Sequence, residues 1–462
     1  MKYFSIFCKC IYTILFILVL SCKAPDRGYE LYIFNSFAEN AQVFEELCRV
    51  YTAETGIRIK VFTPGLSSSS FGQNHMDLLE TELNSLSRPV IFTVRDIKEL
   101  MHWKEAGFVQ DLNLAADDTL LELISGLAPA LQLNAGGISS FGIPSSVEAF
   151  GFIVDRDILA SLFGEGNEEN VLADIKTASW DEWAVFIQTL DRWIQFPFPF
   201  RILLSGRLYT FLPLKTGPAI NLDGVFSLAG MEYFINAALN AVFVSPYQTY
   251  RNVYSETDNS AEDHILYPVF FDFARALDLL NVYSIENESL YGFSNSNAVF
   301  MIQKSHIYQN IAEQNTAMAA RLEMLPLKIP FRSSSIVRSD NITAEILNRS
   351  IPVFASAYYV VNNLSSREEK KLAYDFLLWL YSASQTTPNA LEKSIDSFIQ
   401  GGNSIAASCR GVPGSWPGDI VRIILEEYMT RESWTTAEYP AIAEYALNQW
   451  HKLKPGFIDT VP

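Results

Sequence analysis

The chain has 462 residues, which is enough for two or more domains with buried cores. It carries 34 lysines and arginines against 52 aspartates and glutamates, so its formal net charge is −18. That excess of negative charge argues against nucleic acid as a partner, because binding to phosphates depends on Lys and Arg. It leaves open the charge of a small-ligand site, since one cleft can differ from the average.

The first 21 residues have the pattern of a secretory signal peptide. Lys2 and Lys9 precede the apolar segment Ile11–Leu20. This segment is shorter than the roughly 20 apolar residues that a spanning helix needs, so we expect it to be removed. No other long uncharged apolar stretch follows, and nothing else in the sequence predicts a membrane span.

The end of that segment, Val19-Leu20-Ser21-Cys22, resembles the bacterial lipobox. The resemblance implies that the chain is cut before Cys22 and that its thiol carries diacylglycerol. Residues 22–28 are then a lipid-anchored linker. An ordinary signal peptide with a chance cysteine is the alternative.

The start of the mature chain predicts a strand–helix–strand unit. Tyr29–Phe34 reads as a strand, and apolar residues at three-to-four spacing predict a helix over Asn40–Thr55, with Gly56 as its C-terminal stop. In Ile57–Phe62, apolar and basic residues alternate at the period of a strand. Two strands joined through a helix imply a parallel sheet.

Further elements alternate along the chain. The sequence predicts a loop over Gly65–Ser70, a helix over Asp77–Leu86, a strand over Pro89–Val94, a helix capped by Asp96, and two strands flanking Pro144. From Trp180 onward, helices dominate, and aromatic loops such as Phe196–Phe200 separate them.

Two of the five cysteines, Cys48 and Cys409, remain once the signal peptide and Cys22 are set aside. An exported protein can join them in a disulfide. Cys48 lies on the apolar face of a predicted helix, which favours a buried thiol.

Signatures of catalysis are missing from the sequence. It has no phosphate-binding glycine loop and no Gly-x-Ser-x-Gly elbow, and its five histidines lie singly, without the spacing of metal ligands. Lys215-Thr216-Gly217 and Ser339-Asp340-Asn341 match two penicillin-recognising signatures, but the nucleophile signature Ser-x-x-Lys is absent. We therefore predict no enzymatic activity, no cofactor and no metal.

Six segments, in order, resemble the extracellular solute-binding proteins of bacterial ABC importers, in particular the maltose-binding-protein-like, sugar-binding group called family 1. They are residues 40–64 with the ending TGIRIKV, 87–113 with EAGFVQDLN, 136–159 with FGIPSSVEAFGFIVDRDIL, 179–183 with SWDEW, 294–311 with SNSNAVFMIQKSHIYQNI, and 356–380 with SAYYVVNNLSSREEKKLAYDFLLWL. The resemblance of each segment is weak by itself, but six segments in the order that the family has them make a strong resemblance together.

The resemblance implies an α/β fold of the two-lobed periplasmic-binding-protein type (type II). Mixed sheets flanked by helices form each lobe, and the ligand cleft lies between the lobes. Lobe 1 is expected over 29–145 plus about 353–385, lobe 2 over 146–352, and C-terminal helices over 386–462. A monomer is expected.

In open α/β sheets, ligands bind beyond the carboxyl ends of strands. Sugars present apolar faces, which aromatic rings cover, and hydroxyls, which carboxylates, amides and guanidinium groups bind. The expected ligand-binding residues are Asn35, Ser36, Phe37, Arg95, Asp96, Glu148, Tyr209, His306, Tyr308, Tyr358 and Trp416. The five aromatic rings among them are expected in loops.

Departures from the family pattern leave the ligand open. Asn297 stands where the family usually has glycine, His306 stands in place of a tryptophan, and Val154-Asp155 replaces Tyr-Asn. The sequence predicts an exported, lipid-anchored protein facing the periplasm or exterior, which captures a carbohydrate or similar polar solute by hinge closure and delivers it to importer permeases. The alternatives are an exported glycan hydrolase, and a sensor or surface protein without transport.

Overall fold

The computed structural model describes fifteen stretches of the chain. They are residues 28–37, 41–64, 75–95, 97–114, 117–127, 131–134, 139–194, 196–212, 266–279, 299–304, 311, 315–335, 343–351, 353–382 and 435–453. Within these stretches, no helix combines the length and the apolar character that crossing a bilayer requires.

The described strands and helices alternate along the chain. The strands are β1 (Leu31–Phe34), β2 (Ile59–Phe62), β3 (Ile91–Val94), β4 (Leu133–Asn134), β5 (Ser140–Asp155), β6 (Phe200–Leu204), β7 (Arg207–Phe211), β8 (Phe300–Lys304), β9 (Leu322–Leu325) and β10 (Val353–Val361). The helices are α1 (Ala41–Thr55), α2 (His75–Leu83), α3 (Ile97–Glu105), α4 (Asp118–Gly126), α5 (Arg156–Phe163), α6 (Glu168–Thr177), α7 (Trp180–Trp193), α8 (Tyr267–Leu279), α9 (Thr316–Ala319), α10 (Ala344–Arg349), α11 (Arg367–Ser382) and α12 (Tyr439–Leu453).

The chain divides into two compact units. The first unit runs to Thr93 and includes the later segment Val361–Ser382, and the second contains the rest. The chain thus leaves the first unit and returns to it more than 250 residues later. The lobe boundaries expected from the sequence, 29–145 with about 353–385, stay a prediction.

The first unit contains a parallel sheet in the order β2-β1-β3. Leu31 pairs with Ile59 in β2, and Ile33 pairs with Ile91 in β3. Helix α1 ends where the sequence predicts, because Gly56 has a φ of 77°, a left-handed value that side chains rarely adopt. The predicted strand–helix–strand unit and its parallel pairing are confirmed.

The returning segment packs on helix α1. In α11, the ring of Phe376 lies 5.0 Å from the ring of Tyr51, and Trp379 lies 5.1 Å from it. Trp379 Nε1 donates to Glu54 Oε2 at 2.8 Å. Cys48 is a free, buried thiol whose pKa is raised to about 12 by burial, as its predicted place on an apolar face indicates. Cys409 lies outside the described residues.

The second unit is organised around the long strand β5. Its first half pairs antiparallel with β4 and β10, and its second half pairs antiparallel with β8 and β9. The prediction of two strands flanking Pro144 is wrong, because one strand runs through this proline. Its φ suits a strand, and β10 shifts register just before Tyr358, the residue opposite Pro144.

Helices and strands of the second unit enclose an aromatic core. The buried ring of Trp183 in α7 lies 4.7 Å from Phe152 and 5.2 Å from Phe300. Helix α7 starts with a capping box in which Ser179 and Glu182 exchange hydrogen bonds, which agrees with the prediction that helices follow from Trp180 onward.

A β-hairpin, β6–β7, follows α7 where the sequence reading expected loops and helices. Its turn is Ser205-Gly206, with φ values of 46° and 78°, the positive pair typical of a type I′ turn. Ile202 and Tyr209 pair across the hairpin and are buried. The missed signal was a Ser-Gly dipeptide between two apolar runs.

Candidate functional site

The carboxyl ends of β1, β2 and β3 meet at one edge of the first unit, because the three strands are parallel. Asn35 and Ser36 follow β1, Thr63 follows β2, and Thr93 lies near the end of β3. Open α/β sheets bind ligands beyond this edge. We call these residues, together with Phe37, the sheet-end cluster.

Ser36 and Thr93 form the centre of the sheet-end cluster. The two hydroxyl oxygens lie 2.7 Å apart, and the Ser36 backbone N–H donates to Thr93 Oγ1 at 2.7 Å. Both residues are buried. This network fixes the direction in which the chain leaves β1.

Asn35 shapes the turn after β1. Its Oδ1 accepts from the backbone N–H of Phe37 at 3.1 Å, and its Nδ2 donates to the Phe37 carbonyl at 3.3 Å. The Asn35 backbone N–H donates to the carbonyl of Phe62 at 2.9 Å, which places the residue after β1 beside the end of β2. Asn35 therefore acts on the backbone of the turn, and the Phe37 side chain is buried.

Thr63 was missed by sequence reasoning. Its Oγ1 is buried and has no hydrogen-bond partner in this structure. Buried hydroxyls are usually paired, so the Thr63 hydroxyl is available to a water or a ligand at this strand end. The signal was available, because Thr63 directly follows the predicted strand Ile57–Phe62, just as Asn35 follows Tyr29–Phe34.

The remaining predicted site residues are distributed as follows. Arg95 follows β3, and its backbone N–H donates to the buried carboxylate of Glu99 at 2.8 Å. Glu148 lies on β5 opposite Phe354, and its side chain is not among those described. Outside the described residues lie Cys22, Asp96, His306, Tyr308 and Trp416.

Two predicted aromatic residues lie on strands and not in loops. Tyr209 of β7 is buried in the core of the second unit, and its hydroxyl donates to Asp174 at 2.5 Å. Burial and Asp174 raise the pKa of Tyr209 to about 12. Tyr358 of β10 is fully buried, and burial raises the pKa of its hydroxyl. A ligand contact for either ring stays a prediction.

The sheet-end cluster offers hydroxyl and amide groups for hydrogen bonding. Its side chains carry no formal charge, which suits a neutral polar ligand better than an ion. Within the described stretches, no three His, Cys, Asp or Glu side chains come together as metal ligands. The chemistry that this cluster supports is binding by hydrogen bonds.

Comparison with known proteins identifies the fold. Neither a family model nor a curated protein matches the sequence. Solved structures do match over most of the chain, and one of them is a family 1 extracellular solute-binding protein. The chain has their fold, so the predicted two-lobed, type II class of α/β fold with mixed sheets is confirmed.

Three of these structures illustrate the similarity. A family 1 extracellular solute-binding protein from Bifidobacterium longum subsp. infantis has a TM-score of 0.54 at 12% identity, covering 91% of this chain and 98% of its own. The cyclic alpha-maltosyl-1,6-maltose binding protein from Arthrobacter globiformis has a TM-score of 0.53 at 15% identity, and the match covers 91% of this chain and 98% of that protein. RafE from Streptococcus pneumoniae, in its apo form, has a TM-score of 0.53 at 12% identity, and the match covers 91% of this chain and 97% of that protein. At such low identity the similarity establishes the fold alone.

Proposed function

We propose that this protein is an extracytoplasmic solute-binding protein that captures a carbohydrate or similar polar solute and performs no chemistry on it. The observation that carries the proposal is the sheet-end cluster, where hydroxyls of Ser36, Thr63 and Thr93 stand at the carboxyl edge of a parallel sheet. Proteins of this fold include one that is named for binding a maltose-derived cyclic sugar.

The chemistry of the sheet-end cluster favours a neutral ligand rich in hydroxyl groups. Each sugar hydroxyl both donates and accepts, as serine and threonine hydroxyls do. A buried hydroxyl that lacks a partner, such as that of Thr63, gains a hydrogen bond when a ligand hydroxyl binds beside it. We propose that Arg95, Asp96, Glu148, His306, Tyr308 and Trp416 add polar and aromatic contacts.

We further propose that the solute is enclosed by hinge closure of two lobes and passed to the permease subunits of an ABC importer. Closure excludes water from the ligand, which strengthens every hydrogen bond to it.

A melting screen tests this function. Purified protein that begins after Cys22 is heated with sugars, oligosaccharides and polyols. A ligand that binds only the folded state stabilises it by about 2.7 kcal/mol at a hundredfold excess over Kd, which shifts the melting temperature by several degrees. At least one carbohydrate should produce such a shift. A shift with amino acids, polyamines or metals alone would contradict the solute class, and release of product would favour the hydrolase alternative.

Replacing Thr63 with valine should reduce the carbohydrate-induced shift without weakening the free protein. Valine keeps the shape of threonine but lacks the orphan hydroxyl, so the free energy of unfolding without ligand should stay equal or rise by up to about 1 kcal/mol. Affinity should fall roughly fivefold, the value of one ordinary hydrogen bond. Titration calorimetry with the best carbohydrate measures the affinity, and denaturant unfolding without ligand measures the free energy of unfolding.

Thr81→Val is the matched control, because the Thr81 hydroxyl donates to the carbonyl of Asp77 on the exposed face of helix α2. It should leave carbohydrate affinity unchanged. Equal affinities for wild type and Thr63→Val would remove Thr63 from the site.

We also propose that the mature protein is anchored to a membrane by lipid on Cys22 and faces the periplasm or exterior. Cys22→Ser should abolish fatty-acid labelling and cleavage at this position, because the thiol is the attachment point. Metabolic labelling with a fatty acid in the producing bacterium checks this, with Cys48→Ser as the control. Persistent label on Cys22→Ser would contradict the lipobox interpretation.

A further inference from the structure

The second unit contains a cleft built from residues that the proposed carbohydrate site does not use. Its cavity volume is about 390 Å³. The cleft lies where the end of α6 and the start of α7 meet the segment 330–332 and helix α10. This volume is in the range of pockets that hold small molecules.

One wall of the cleft is fixed by a buried lysine. Lys328 Nζ donates to the carbonyls of Lys176, Ala178 and Asn348 at 3.1, 3.0 and 2.6 Å. The Asn348 side chain accepts from the backbone N–H of Ile329 at 2.7 Å. These bonds connect α6 and α10 through the segment that contains Lys328 and Ile329, so this wall is formed before any ligand binds.

A second wall is fixed by a buried aspartate. Asp272 of α8 accepts from the backbone N–H of Arg332 at 2.8 Å, from Arg332 Nε at 2.6 Å and from Ser335 Oγ at 2.7 Å. The guanidinium carbon of Arg332 lies 5.0 Å from the ring centre of Phe271. The position of the Arg332 guanidinium is therefore set by the fold.

Three arginines line the cleft, and each uses only some of its five N–H donors in bonds to the described residues. Arg332 uses Nε, Arg275 donates through Nη2 to the carbonyl of Pro330 at 3.1 Å, and Arg349 Nη1 lies 3.0 Å from Glu345 Oε1. Arg275 Nε is buried without an acceptor. Burial, followed by the charge of Arg349, lowers the pKa of Lys328 to about 7. Guanidinium N–H groups on this side of the cleft therefore remain as donors for a ligand.

Carboxylates line the same cleft. Glu182 is engaged in the cap of α7, where its Oε2 accepts from the backbone N–H and the hydroxyl of Ser179. Asp181 and Glu345 also line the cleft, and the Glu345 side chain is 69% exposed. Acids next to arginines disfavour a ligand of high negative charge, because like charges repel it. They favour a ligand that carries both signs.

We propose that this cleft binds a small zwitterion, an amino-carboxylate whose carboxylate contacts the guanidinium groups of Arg332 and Arg349 and whose ammonium contacts Asp181 and Glu345. Guanidinium groups bind carboxylates through paired hydrogen bonds, and carboxylates bind ammonium groups. The site is independent of the proposed carbohydrate site.

Three four-carbon probes test the proposal by titration calorimetry at neutral pH. γ-Aminobutyrate carries both charges, butyrate carries only the carboxylate and butylamine only the ammonium. γ-Aminobutyrate should bind at least about fivefold more tightly than either single-charge probe, because each end adds one charge-assisted contact. Absence of binding by all three overturns the proposal.

Two variants test the location, and their effects on the affinity for butyrate should differ in sign. Arg349→Gln should weaken the binding of γ-aminobutyrate and of butyrate about three- to tenfold. This range lies between the effect of losing an exposed charged contact and that of losing a buried one. Glu345→Gln should weaken the binding of γ-aminobutyrate, because a contact to its ammonium is lost. It should strengthen the binding of butyrate, because the Glu345 carboxylate no longer competes for Arg349.

Arg49→Gln is the matched control, since Arg49 is also exposed on a helix and ion-paired, with Glu46, but lies in the first unit. It should change no probe's affinity. Unchanged binding of γ-aminobutyrate in Arg349→Gln would overturn the proposal, whatever the carbohydrate screen shows. Both cleft variants should keep the carbohydrate-induced shift in melting temperature. The experiment can therefore contradict the zwitterion site without contradicting carbohydrate binding, and the reverse.

Discussion

Replacing Gly151 with alanine is expected to destabilise the second unit by about 3 kcal/mol, the upper part of the range for overpacked cores. A methyl group on Gly151 would lie 2.3 Å from the carbonyl oxygen of Leu325 and 3.1 Å from Met324 Cγ. The first contact is with backbone, which cannot rotate away. Strand β5 pairs with β9 at this point, with Phe152 opposite Leu325, so relief requires the two strands to separate.

Chemical unfolding of purified Gly151→Ala measures the loss. Gly126→Ala is the matched control, because Gly126 ends helix α4 in the same unit and a methyl group there meets nothing within 4 Å. The control should be neutral or slightly stabilising, since alanine has the higher helix propensity. Equal stabilities for Gly151→Ala and wild type would contradict the close approach of β5 and β9.

The stability that Lys328 contributes should depend steeply on pH. Folding lowers the pKa of Lys328 from 10.5 to about 7, first through burial and then through the charge of Arg349. Between these two pH values, the unfolded chain holds a proton that the folded protein has released. The unfolded state then binds more protons, so stability must rise with pH in this window.

The size of the effect follows from proton linkage. One proton difference changes the free energy of unfolding by about 1.4 kcal/mol per pH unit. The penalty for burying the charge is fully present below pH 7 and has disappeared above pH 10.5. Relative to Lys328→Met, wild type should therefore gain stability as the pH rises from 7 to 10.5.

Denaturant unfolding of both proteins across this pH range measures the difference, from which other titrating groups cancel. Lys176→Met serves as the control, because the Lys176 side chain is 46% exposed and its ammonium pairs with Glu323. Its curve should follow that of wild type. A constant difference between wild type and Lys328→Met would show that Lys328 stays protonated throughout.

The first unit could be predicted closely because its signals are local. Alternation of Ile57, Arg58 and Ile59, and the glycine after α1, follow from side-chain period and backbone sterics. The predicted helix over Asp77–Leu86 is observed over His75–Leu83, and the strand over Pro89–Val94 over Ile91–Val94. Such shifts at element ends are usual, since caps and fraying decide them.

Tertiary context determined what the sequence did not reveal. Tyr209 and Tyr358 are buried on strands, because packing against the core of the second unit decides exposure and no local signal does. The cleft beside Lys328 joins residues from four separated segments, so no motif marks it. Thr63 and Thr93 gain significance only once the strand ends are known to lie side by side.

The discontinuity of the first unit has a consequence for how the protein is made. Phe44 and Tyr51 of α1 pack on Phe376, and the carbonyls of Pro89 and Val90 accept from Asn362. During synthesis, these early groups wait for partners that emerge about 270 to 330 residues later. A chain stopped before Val361 would carry the whole sheet order β2-β1-β3 but would leave an aromatic helix face uncovered. Folding of the first unit therefore depends on release of its last segment, and chaperones that bind exposed aromatic surface should raise the yield of full-length protein but not that of its second unit.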